Sequence, residues 1–79
     1  MKITFKKIEA GTYNLLLNGE VLATTSKGTY TWSVYDQTDA FVNFYDKLDR
    51  YHNWMIEGQN YDTKAELKIC FETAANSLK

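Results

Sequence analysis

The sequence predicts an α+β fold: an antiparallel β-meander of three to four strands followed by two α-helices packed on one face of the sheet. Three observations predict it. The first 35 residues are rich in Thr, Tyr, Val and Ile and are punctuated by Gly11, Gly19 and Gly28. From Asp39 the apolar residues change to steps of three and four, the period of an amphipathic helix. Thr63-Lys64-Ala65-Glu66 then has the S/T-x-x-E form that opens a second helix.

Residues 3–8, 12–17, 20–25 and 29–35 read as the strands, joined by connections short enough to force antiparallel neighbours. Asn18-Gly19 is the sharpest of the turn signals, because both residues tolerate the positive φ that a type I′ hairpin needs. A two-residue turn sets Leu15 opposite Leu22 and Leu16 opposite Val21, so apolar pairs fall on both faces of that hairpin. One face meets the core; the other is covered by chain or left as a patch for a partner.

The first helix is expected over residues 39–57. Phe41, Phe44, Tyr45, Leu48, Tyr51, His52 and Met55 share its apolar face. Thr38 or Asp36 can cap its start, Asp39 suits the positive end of the helix dipole, and Gly58 can end it in a left-handed conformation. Residues 51–56, with Tyr, Trp, Met and Ile close together, would also suit a short fifth strand. The second helix starts at Thr63 and buries Leu67, Phe71, Ala74 and Leu78, with Cys70 on the flank and Ile69 on the opposite side.

At 79 residues, 44% hydrophobic and 15% aromatic, the chain is expected to make one domain, residues 1–79, with a packed core. Cys70 is the single cysteine, which leaves no internal disulfide or cysteine-cluster zinc site and suits a reducing cytoplasm. Neither a signal peptide nor a membrane span is expected.

The net charge of −1 conceals an asymmetry. Residues 1–35 sum to +2, residues 36–62 to −4 and residues 63–79 to +1. A protein built to neutralise phosphates needs convergent Lys and Arg. An acidic middle points instead to a partner with a basic surface.

No residue pattern supports catalysis, a cofactor or a metal. His52 is the only histidine and falls within the apolar stripe. Asp49 lies one turn from it, but a tight metal site needs three or four ligands. Cys70 on a buried flank is an inert thiol, and the four separated glycines make no phosphate loop. The protein is therefore expected not to be an enzyme.

What remains is surface. On a helical wheel Asp39, Asp46, Asp49 and Glu57 project opposite the apolar stripe, with Trp54 at its edge. Such a face is ordinarily just solvated. As a site it is an acidic docking ridge, its carboxylates engaging Lys and Arg and its tryptophan supplying contact area. Two alternatives stand beside it. Tyr30 and Trp32, alternating on one strand face with Lys6, Lys7 and Lys27 nearby, could stack the bases of a single-stranded nucleic acid. A homo-oligomeric structural or virion protein would bury Leu16 and Val21 between copies.

In size, charge layout and element order the chain resembles small phage accessory proteins of the anti-CRISPR and anti-restriction inhibitor type. The resemblance is of type and matches no motif. It implies a protein acting in the host-cell cytoplasm, occupying the surface its target uses for nucleic acid or for a partner subunit, and it assigns no individual residue.

Overall fold

A computed structural model describes residues 2–78. Seven elements follow in chain order: β1 (Ile3–Glu9), β2 (Thr12–Leu17), β3 (Glu20–Lys27), β4 (Trp32–Tyr35), α1 (Asp39–Lys47), α2 (Arg50–Ile56) and α3 (Lys64–Asn76). The strands form one antiparallel sheet in the order β1-β2-β3-β4. Asn18 and Gly19 take φ of 51° and 86°, the left-handed pair that closes a tight hairpin.

The hairpin register departs from simple two-residue pairing. Leu16 faces Val21, but Leu15 faces Ala23, with an irregularity between Leu15 and Leu16. The extra residue is Leu22, and a bulge of this kind lets neighbouring side chains turn to the same side. Leu22 and Ala23 are accordingly both buried.

The covered face of the sheet carries Ile3, Phe5, Leu15, Leu17, Ala23, Trp32 and Val34, which pack with Phe41, Phe44, Leu48, Ile56, Leu67 and Phe71 from the helical half. The opposite face carries Thr4, Lys6, Ile8, Leu16, Val21 and Tyr35, all exposed or half-buried. Leu16 and Val21 therefore sit opposite each other on the sheet face turned away from the core.

Among the described residues three helices follow the sheet, not two. The expected helix over residues 39–57 is broken at Leu48, which is extended (φ −84°, ψ 155°). Asp49 then caps a new helix, its carboxylate accepting from the His52 backbone N–H at 2.9 Å. An aspartate at this position satisfies one of the donors a helix start leaves unpaired, so the chain re-caps instead of continuing. The alternative of a strand over residues 51–56 is also overturned, since these residues lie in α2.

The break rotates the second half of the stripe. Phe41, Phe44 and Leu48 are buried, whereas Tyr51 is 63% exposed. The strand expected over residues 29–35 starts only at Trp32. Beyond it, Trp32 and Tyr61 exchange both backbone hydrogen bonds, Trp32 N–H to Tyr61 O at 2.6 Å and Tyr61 N–H to Trp32 O at 2.9 Å. That bridge pins the loop before α3 to the sheet.

Candidate functional site

The five residues of the expected acidic ridge do not share one helix. Asp39 and Asp46, seven residues apart, both belong to α1. Asp39 lines a hollow with Asn18, Glu20, Asn43 and Lys47 beside the β2–β3 turn. Asp49 is committed to α2, since besides its cap bond it meets His52 Nδ1 at 2.6 Å. These bonds, the backbone one foremost, hold its carboxyl below the ordinary range. Asp49 and His52 thus satisfy each other, and no group of three or more His, Cys, Asp or Glu among the described residues is placed to hold a metal ion.

Glu57 and Trp54 are brought together. Both line a hollow with Tyr45, Arg50 and Asn53. Glu57 accepts a hydrogen bond from the Tyr45 hydroxyl, which spans the break between α1 and α2 and raises the Tyr45 pKa. Trp54 also walls a second hollow, between α2 and the start of α3, with Tyr51, Met55, Tyr61, Glu66 and Cys70. It is 63% exposed, as is Tyr51.

A seven-residue helix is too short to hold itself, so neighbours must fix it. Gln59 Nε2 donates to Trp54 O at 3.1 Å, and the Tyr61 hydroxyl donates to Met55 O at 2.8 Å. Each closes a carbonyl that a helix C-terminus leaves open. Tyr61 is buried, and that burial, with a smaller contribution from Cys70, drives its pKa far above the ordinary tyrosine value, so the hydroxyl stays a donor. Burial, then Glu66, raises the Cys70 thiol, which lowers its reactivity at neutral pH. Tyr51 and Trp54 are thereby displayed on a fixed platform.

Tyr30 and Trp32 do not alternate along one strand. Tyr30 precedes β4 and is 85% exposed, while Trp32 turns toward the core side. Trp32 instead joins an aromatic row across the sheet. Its ring centroid lies 5.9 Å from that of Tyr13, and the Tyr13 centroid lies 6.2 Å from that of Phe5. Buried Thr25, small enough to be bridged, sits on β3 opposite Tyr13.

Lys64, the first residue of α3, places its Nζ 3.9 Å from the Tyr13 centroid, 5.2 Å from Phe5 and 5.9 Å from Trp32. This cluster was not legible from strand patterns, because it depends on the register of four strands and on the Trp32–Tyr61 bridge. The partial signal is the two-residue spacing of Phe5 from Ile3 and of Tyr13 from Leu15, which puts both rings on the face of the buried aliphatic residues.

Comparisons with protein families, with characterised proteins and with solved structures give no match. No helix among the described residues is long and apolar enough to cross a membrane.

Proposed function

We propose that this protein is a non-enzymatic protein-interaction module that presents α2 to a partner with a basic surface. The observation that carries the reading is the pair Tyr51 and Trp54, each 63% exposed on one short helix whose end is fixed by Gln59 and Tyr61. Large aromatics held rigidly at the surface lose little entropy on binding and are the residues that dominate interface energies.

The rim supports a basic partner. Glu57, Asp62 and Glu66 line the two hollows that flank Trp54, against the single cation Arg50. Acidic rims steer Lys- and Arg-rich surfaces and speed their association. A module of this kind inhibits by covering the basic surface with which a nucleic-acid-handling complex grips its substrate, the activity of the phage inhibitors it resembles in type. Of the expected ridge, Trp54 and Glu57 line the hollow beside this surface, Asp46 adds charge next to the Tyr45–Glu57 pair, and Asp39 lines a separate hollow beside the β2–β3 turn.

The test compares wild type with the double variant Tyr51→Ala/Trp54→Ala in pull-downs from nuclease-treated lysate of the host cell. A partner retained by wild type at low salt, weakened by high salt and lost by the variant supports the reading. Equal recovery by a variant whose circular dichroism is unchanged refutes it. Charge reversal at Asp49 is the wrong probe, because it removes the cap of α2.

A further inference from the structure

The geometry points to an alkylammonium-binding cage: Phe5, Tyr13 and Trp32 form an aromatic trough for a methylated ammonium group, which Lys64 fills from within the chain. The site is separate from the Tyr51–Trp54 surface and stands independently of it.

Energetically significant cation–π pairs occur roughly once per 70–80 residues. Here three rings from three strands converge on one ammonium, all within the ~6 Å over which the attraction operates. The rings are not simply core. Phe5, Tyr13 and Trp32 are each half-buried, as is Lys64, so the trough opens to solvent. The rings are inclined to one another, 71° between Phe5 and Tyr13 and 43° between Tyr13 and Trp32, so they are not a flat stack, and a single ammonium reaches all three.

Ordinary helix electrostatics does not explain the position of Lys64. It is the first residue of α3, where the helix dipole disfavours a cation. No described carboxylate forms an ion pair with it. Its ammonium is held by the rings, and it reports the chemistry they accept. A primary ammonium is attracted to the rings but is strongly hydrated, so it gives up more water on entering them. A quaternary ammonium, larger and weakly hydrated, is the better match.

The surroundings narrow the ligand. Lys7 stands opposite Tyr13 and Lys27 opposite Trp32, both on the covered side of the sheet and both exposed. Two lysines beside the trough repel a polycation and favour a ligand that carries an anionic group next to its methylated ammonium. A choline phosphate ester has this form, and a methylated lysine in a basic peptide does not. Lys64 sits on a flexible four-carbon stem and can leave the trough while the Thr63 cap of α3 stays in place. The apparent affinity of an outside ligand is then reduced by the fraction of time the trough is empty.

The test follows the Trp32 indole N–H by NMR, distinguished from Trp54 with Trp54→Phe, in wild type and in Lys64→Ser. Phosphocholine should shift the Trp32 signal saturably in both, with an affinity on the order of tenfold higher in Lys64→Ser. Choline should bind more weakly, and 3,3-dimethylbutanol, its neutral isostere, should give no saturable shift. A folded Lys64→Ser protein that ignores phosphocholine, or that responds equally to the neutral isostere, overturns the inference. Tighter binding of a trimethyl-lysine peptide than of phosphocholine overturns the assignment of the ligand. Wild type gives a reading that needs no variant: the Lys64 ε-methylene protons should resonate upfield from ring currents and return toward ordinary values as phosphocholine is added. Their absence from the upfield region would remove Lys64 from the trough and the inference with it.

Discussion

Replacing Thr38 by valine should destabilise the protein far more than one surface methyl-for-hydroxyl exchange suggests. Thr38 lies between β4 and α1, and its side chain acts in two directions. The Oγ1 atom accepts from Phe41 N–H at 3.3 Å, capping α1. The same hydroxyl donates to Val21 O at 2.7 Å, with Leu22 O at 3.0 Å beside it. Those carbonyls belong to the stretch of β3 where the bulge interrupts regular pairing. Valine keeps the volume and β-branching and deletes both bonds. Loss of an N-cap costs about 1 kcal/mol. Loss of the hydroxyl-to-carbonyl bond costs about 1 kcal/mol more. For a domain of this size the combined ~2 kcal/mol corresponds to a fall in Tm of roughly 8–16 °C. Thermal melts by circular dichroism and urea titrations measure it, with Thr38→Ser as the variant that restores most of the loss. A Thr38→Val protein melting within about 3 °C of wild type would refute the double role.

Asp49 makes stability depend on pH. Its folded carboxyl is held below the ordinary value by the His52 backbone N–H and ring, so its contribution is complete above the unfolded carboxyl pKa of about 3.9 and disappears as pH falls through the lower folded value. Urea midpoints between pH 6 and pH 2.5 should fall less steeply in Asp49→Asn, which still caps α2 but cannot titrate; parallel curves would exclude the effect. Cys70, its pKa raised by burial, should react with a maleimide at neutral pH far more slowly in the native protein than in urea. Equal rates would show that the thiol is open.

The parts of the fold legible in the sequence are those set by local chemistry. Asn18-Gly19 needed only two residues that accept positive φ. Thr63 was legible because a helix start must satisfy its own donors, and it does so here by accepting from Glu66 N–H at 3.1 Å. Glu66 reaches back, but to Asp62 N–H and not to that of Thr63. The helix break was hidden because Leu48, Tyr51, His52 and Met55 continue the earlier spacing across it. The only local sign was an aspartate able to cap, three residues before His52. The bulge at Leu22 escaped for a related reason, since Val21, Leu22 and Ala23 are all apolar and alternation could not tell which of them turned outward.

The candidate site was legible in part. Trp54 stood out as a large aromatic at the polar edge, and it is exposed. The expected ridge presupposes an unbroken helix, as does a place for Tyr51 on the buried stripe; the break at Leu48 divides the ridge between α1 and α2 and leaves Tyr51 exposed. The trough around Lys64 belongs to a third category. Phe5, Tyr13, Trp32 and Lys64 are spread over sixty residues, and only the assembled sheet and the Trp32–Tyr61 bridge bring them together.

The meander has a kinetic consequence. Every strand pairs with its neighbour in sequence, so the loops that must close to build the sheet are short and inexpensive in entropy. The long-range step is different: β1 meets α3 through a bond from Ile3 N–H to Glu72 Oε2, 69 residues apart. Assembly should therefore run outward from the Asn18-Gly19 hairpin and finish when the last helix docks across the first strand. β1 and α3 should then be the last elements to lock together and the first to part, which makes the seam between them a control on the lifetime of the native state.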